Sequence, residues 1–224
     1  MPDVRPTKWH LAHVTWFFES FVLKAHTSTY SPFNDAFHYL FNSYYKSSGA
    51  MHPRPRRGEL SRPTLAEVLD YRSYVDEAVV ELLESGHATD DIHRVLTLGL
   101  HHEQQHQDLL LTDIKHVLSR NPLQPTARQH LAQVQSSAPG AYAFTTGASG
   151  IVAIGAHDDA FCFDNETPRH DALLHPHAIG NRLITNGEYR EFINSGAYRD
   201  AQLWLSDGWA AINVHGWDRP LYWD

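Results

Sequence analysis

The chain has 224 residues, 42% of them apolar, which suffices for a buried core in one large domain or two smaller ones. Its 26 acidic against 18 basic residues leave a net charge of -8, which disfavours nucleic acid and anionic membranes as partners. The lone Cys162 excludes an internal disulfide framework and any Cys-rich zinc module, so a reducing compartment, the cytoplasm, is expected.

No run approaches the roughly 18 apolar residues of a membrane span, and MPDVRPTKWH lacks the apolar stretch of an export signal. The compositional outlier is histidine, with 17 residues. Packing alone does not call for so many, which directs attention to metal or acid/base chemistry.

In chain order, residues 7–25 follow Pro6 and contain neither Gly nor Pro, which predicts a first helix. Phe33 to Tyr45 reads as a second, shorter one. SSGAMHPRPRRGELSRP is turn-rich and basic and reads as a loop, long enough to suggest a functional role. Thr64 and Glu67 have capping-box spacing and open a third helix with apolar residues at 65, 68, 69, 75, 79, 82 and 83, stopped by Gly86. A fourth runs from Thr89 or Asp90 to about Ser119, before Asn121 and Pro122. Four such helices, each needing to bury one stripe, make an antiparallel bundle over residues 1–120.

Residues 121–150 are rich in Pro, Gln, Ser and Ala and read as a linker, with a short helix near 127–135. Residues 151–224 read as an α+β domain, with apolar runs such as IVAIGA and one helix from Asn186 to Ser195, for which Thr185 and Glu188 form a start signal. The Trp-rich ending GWDRPLYWD leaves no room for a closing element, and Cys162 is expected to pack inside this domain.

The fourth helix holds GLHHEQQHQDLLLTDIKHVL, in which His102 and His106 are four apart and so share one helix face. Leu98, Leu109 and Ile114 fall near that face, which turns His102, Gln105 and His106 toward the interior. His101 and His116 belong to the solvated rim. Two histidines under-coordinate a divalent ion, so a further ligand should come from another helix. Helix one offers His10 and His13 among aromatics, where an unpaired ring would be costly to bury; His13, one turn before Trp16 and Phe17, is favoured over His10. Asp108 could orient a ligand or lie on the surface. Imidazole donors suit Zn, Fe, Cu or Ni alike. HEQQH has the letters of a zincin motif, but a zincin takes its third ligand from further along the chain, whereas helix one offers a better-placed one here, which argues against a protease.

PTKWHLAHVTWFFESFVL, RPRRGELSRPTLAEV, HHEQQHQDLLLTDIKH, FCFDNETPRH, ITNGEYREFI and LWLSDGW together resemble the iron(II)-dependent sulfoxide synthases of ergothioneine biosynthesis. The resemblance implies an α + (α+β) chain: a DinB-like four-helix bundle, then the N-terminal part of a formylglycine-generating-enzyme-like (C-type-lectin-like) domain. It implies Fe(2+) held by His13, His102 and His106, and O2-driven carbon–sulfur bond formation between hercynine and γ-glutamylcysteine or cysteine.

By the same resemblance Gln105 contacts hercynine, and Arg54, Arg56, Arg57 and Arg62 are candidates for gripping the thiol's carboxylates in bidentate fashion. The family's chains are longer, and its catalytic tyrosine lies beyond residue 224, so a truncated chain is expected. Ovothiol- or selenoneine-type synthases, a DinB-like metal-dependent thiol transferase and an inactive metal-binding fragment are the competing expectations.

Overall fold

The structure, a computed structural model, describes residues 4–43, 49–127, 139–157 and 160–223. The chain divides into two compact units, Met1–Leu131 and Ala132–Asp224.

The first unit is built around its first helix. α1 (Thr7–Phe18) starts on Pro6, whose carbonyl accepts from the Trp9 amide at 2.8 Å. It buries Trp9, His10, Ala12, His13, Val14, Thr15, Trp16 and Phe17, so it is enclosed on nearly every side. The helix runs on through a π-helical turn, Glu19–Leu23, into the short α2 (Lys24–His26). Residues 7–25 are thus helical as expected, but the π turn is new. Its wider turn shifts the register so that Glu19, Val22 and Leu23 all stay buried.

α3 (Asp35–Phe41) is capped by the Asn34 side chain, which accepts from the Ala36 amide at 3.0 Å. It is shorter than the expected Phe33–Tyr45. Asn42 turns to extended backbone with ψ 142, and the Asn42 carbonyl and Ser43 Oγ accept from the buried Arg57 guanidinium at 3.4 and 3.1 Å. Residues 44–48 lie outside the described ones. The expected loop contains a 3-10 turn, Arg54–Glu59.

α4 (Leu65–Glu84) has the expected capping box: Thr64 Oγ1 accepts from the Glu67 amide at 3.2 Å and Glu67 Oε2 accepts from the Thr64 amide at 2.6 Å. It ends before Gly86, whose φ of +73 suits a residue without a side chain. Its buried stripe is Val68, Tyr71 and Val75; Leu65, Leu69 and Leu83 of the expected apolar row are exposed. α5 (Asp90–Ser119) is capped by Thr89 and buries Ile92, Gly99 and His106 along one face. α3, α4 and α5 all pack on α1. Trp9, Ala12, Trp16, Phe17, Leu23, Phe37, Phe41, Val68, Tyr71 and Val75 form the core between them. No described helix is long and apolar enough to cross a membrane.

The second unit is α+β. β1 (Phe144–Thr146) pairs antiparallel with β4 (Ala178–Gly180), and β2 (Gly150–Ile154) with β3 (His170–Leu174) in the register Gly150↔Leu174 to Ile154↔His170. α6 (Asn186–Asn194) carries the expected Thr185–Glu188 capping box. Two readings need correction. β1 falls inside the segment read as a linker, because its partner strand lies over 30 residues downstream and local sequence does not announce it. A further helix, α7 (Ser206–His215), closes on Gly216 at φ +63; its interior Gly208 and even spread of apolar residues hide the helical period. The short helix expected near 127–135 falls largely outside the described residues. Cys162 is half-buried, and only Ala197 and Ile212 are buried among this unit's described hydrophobics.

Candidate metal centre

α1 and α5 come together around three imidazoles. His13 projects from α1, and His102 and His106 project one turn apart from the inner face of α5. One ring nitrogen from each lies within 4.8 Å of the other two. Ring centroids are 5.0 Å apart for His13–His102 and 4.7 Å for both His13–His106 and His102–His106. Gly99 permits this approach: a Cβ there would meet Phe18 Cε1 at 2.4 Å and Phe17 Cε1 at 3.0 Å. It precedes His102 by three residues, so it sets the helix spacing beside the cluster.

The surroundings fix the protonation of the rings. His13 stacks against Trp9 and Trp16, with centroids at 4.7 and 5.6 Å, and its Nδ1 lies 2.6 Å from the Phe41 carbonyl oxygen. A carbonyl only accepts, so Nδ1 carries the hydrogen and Nε2 is left with its lone pair. Burial, followed by the charge of His106, holds His13 well below the usual imidazole range. Burial brings His102 down to about 4. His106 falls to about 3, first through burial and then through His102 and His10. All three rings are therefore neutral at pH 7 and able to donate lone pairs.

The Nδ1 of His102 is buried with no hydrogen-bond partner among the described residues. A buried, unsatisfied nitrogen is costly, and a metal ion at the cluster would relieve the shortage of electrophiles around these rings. The donor set therefore fits a divalent transition metal.

Other expected site residues fall elsewhere. Gln105 is exposed on α5, as are Leu98 and Asp108, because the inward row runs through residues 99, 102, 106, 109 and 113. His101 and His116 are half-buried at the rim. Glu103 of the HEQQH run turns toward α4, where its Oε1 accepts from Arg72 at 2.7 Å, so it is engaged away from the histidines. Arg54, Arg56 and Arg62 are exposed, Arg56 in an ion pair with Glu59 at 2.9 Å. Arg57 is 1% exposed, and its guanidinium lies 3.9 Å from the Trp9 ring centroid; it anchors the loop on the core beside the stacked His13.

His10 and Asp113 were not both legible in advance. His10 is buried, and Asp113, not Asp108, is the carboxylate that reaches toward the cluster: His10 Nδ1 lies 3.0 Å from His106 Nδ1 and His10 Nε2 lies 3.0 Å from Asp113 Oδ2. The available signal was spacing. Asp113 is seven residues after His106, two full turns along the same face.

Residues 1–110 match the DinB superfamily. Over its full length the chain is 25% identical to a hercynine oxygenase of Mycolicibacterium thermoresistibile, covering 48% of that protein. The hercynine oxygenase of Mycolicibacterium smegmatis is 28% identical over 127 residues, or 57% of this chain and 29% of that one. That of Mycobacterium tuberculosis is 26% identical over 172 residues, or 77% and 40%. The chain thus spans about half the length of the first of these relatives and less of the others. Residues 1–110, with the helices that bring His13, His102 and His106 together, are a DinB-superfamily domain.

Proposed function

We propose that this chain carries the metal-binding part of a non-heme iron(II)- and O2-dependent sulfoxide synthase, which joins the sulfur of γ-glutamylcysteine or cysteine to the imidazole of hercynine. The observation that carries the reading is the convergence of His13, His102 and His106 from two helices of the bundle. Similarity to hercynine oxygenases along the whole chain supports it.

In this reading the three histidines hold Fe(II), which when bound supplies open coordination positions and one-electron chemistry toward O2. Neutral imidazole donors add no negative charge to repel a thiolate substrate. The Trp9 and Trp16 faces around His13 keep water from one side of the cluster. Gln105 is assigned to hercynine. Exposed Arg54 and Arg56 are assigned to the carboxylates of the thiol, while buried Arg57 holds their loop in place. The second unit is read as the N-terminal part of a formylglycine-generating-enzyme-like domain, and the cytoplasm as the site of action.

The test is reconstitution of the purified chain with Fe(II) under anaerobic conditions, then addition of hercynine, each thiol in turn and O2. Oxygen uptake matched by a sulfoxide product of the expected mass supports the proposal. Zinc-dependent thiol transfer without oxygen uptake would replace it with a thiol transferase. Metal binding without uptake or product would leave a metal-binding fragment.

A further inference from the structure

His10 lies three residues before His13 on α1 and is 2% exposed, yet it is not one of the three clustered donors. Both of its ring nitrogens are engaged, Nδ1 with His106 Nδ1 and Nε2 with Asp113 Oδ2, each at 3.0 Å. Asp113 Oδ2 in turn accepts from the Arg5 amide at 3.0 Å and lies 3.6 Å from the Arg5 guanidinium. We propose that Asp113 and His10 are positioning residues that set the tautomer of His106, so that its Nε2 faces the metal site with a free lone pair.

The chain of hydrogen bonds has one direction. A carboxylate only accepts, so His10 Nε2 donates to Asp113. A neutral imidazole has a single N–H, so His10 Nδ1 accepts. His106 Nδ1 must then donate, and Nε2 is the nitrogen left bare. The reverse order would require a second N–H on the His10 ring or a carboxylic acid at Asp113, whose Oδ2 already accepts from the Arg5 amide at 3.0 Å and faces the Arg5 guanidinium at 3.6 Å, as a carboxylate would. His13 reaches the same tautomer through the Phe41 carbonyl. Two of the three donors are thereby set before any metal arrives.

This inference rests on the metal-centre reading, so its experiment has one arm that needs no metal. Long-range proton–nitrogen NMR of the metal-free chain reads the His106 tautomer directly. The expected result is hydrogen on Nδ1 in the wild type and a shift toward Nε2 in Asp113→Asn, whose amide can donate to His10 and reverse the chain. The second arm is Co(II) affinity by spectrophotometric titration. Asp113→Asn and His10→Leu are expected to weaken binding by about 10- to 100-fold. His10→Asn, which keeps an acceptor near the Nδ1 position, is expected to restore most of it.

A role confined to clipping α1 to α5 would alter melting of the metal-free chain and leave the tautomer unchanged. The proposal is overturned by a wild-type His106 protonated on Nε2, or by Co(II) affinities of Asp113→Asn and His10→Leu equal to wild type. If His10→Leu does not fold, the isosteric Asp113→Asn decides. If the wild type binds no Co(II), the metal reading fails, and the tautomer arm still judges the relay.

Discussion

The Glu19 carboxylate and the Tyr71 hydroxyl, 52 residues apart in sequence, meet at 2.7 Å in the core of the bundle. Glu19 is 2% exposed, and its other oxygen accepts from the Tyr30 hydroxyl at 2.9 Å and the Phe33 amide at 3.1 Å. Three donors satisfy a charge that would otherwise be prohibitive to bury. They also tie the π turn after α1 to α4 and to the segment leading into α3. Burial and the nearby carboxylate push both tyrosine hydroxyls well above the ordinary phenol range.

Breaking this junction should be costly. Tyr71→Phe leaves one Glu19 oxygen without its buried donor, for an expected loss of about 1–3 kcal/mol. Glu19→Ala strands two hydroxyls and an amide and opens a cavity, so its loss should be larger, about 2–4 kcal/mol. Urea denaturation of both variants and the double variant measures the coupling. Strictly additive losses would show that the two groups do not support each other.

The sequence made three helices of the bundle legible because each has its own local signal: Pro6 before α1, the Thr64–Glu67 box and Gly86 at the two ends of α4, and Thr89 before α5, whereas α3 is shorter than the apolar segment from Phe33 to Tyr45 suggests. The His102–His106 pair was legible from helical spacing alone. The π turn was not, since it answers a tertiary demand to bury Glu19 beside Tyr71. Nor was β1, whose pairing with β4 is set by residues far along the chain. For Gln105, a helical wheel drawn from Leu98 turned the buried stripe by about one residue, or about 100°. The stripe runs instead through Gly99, where α1 comes too close for a side chain.

His102→Ala should abolish tight metal binding, because two remaining imidazoles hold a divalent ion poorly. His101→Ala, adjacent on α5 but outside the cluster, should leave it intact. Metal content after dialysis against a weak chelator checks both. Equal losses would sink the assignment of these ligands.

Gly99 sits where α5 crosses the Phe17–Phe18 edge of α1, so its substitution tests whether helix spacing governs the cluster. Alanine gains helix propensity of about 1 kcal/mol, but its Cβ would overlap Phe18, whose ring can partly swing aside. Gly99→Leu has no such escape. It should cost about 1–3 kcal/mol through overpacking and weaken Co(II) binding as His102 moves away from His13. Thermal melts of the metal-free chain and Co(II) titration separate the two effects; full affinity in Gly99→Leu would show that the spacing is not critical.

The lowered imidazoles also predict how the metal-free bundle responds to acid. The ordinary histidine value is 6.5, and the folded values are about 4 for His102 and about 3 for His106. Above pH 6.5 neither folded nor unfolded chain binds these protons, so the full stability is present. Between 6.5 and the folded values the unfolded chain takes up protons that the folded chain refuses, so stability falls as pH falls. Carboxylates held low elsewhere, such as Glu67 and Glu188, act mainly below their ordinary value of 4.5, so the decline between 6.5 and 4.5 comes from the lowered histidines, opposed in part by Asp76, whose carboxyl burial raises. In chelator, Tm should therefore decline across that window, and His102→Leu should flatten the decline by removing one of the contributing groups. Bound Co(II) should raise Tm most near pH 7 and progressively less toward pH 4.5, since protons and metal compete for the same lone pairs. A Tm independent of pH from 6.5 to 4.5 in the chelated chain would mean that these rings are not buried neutral.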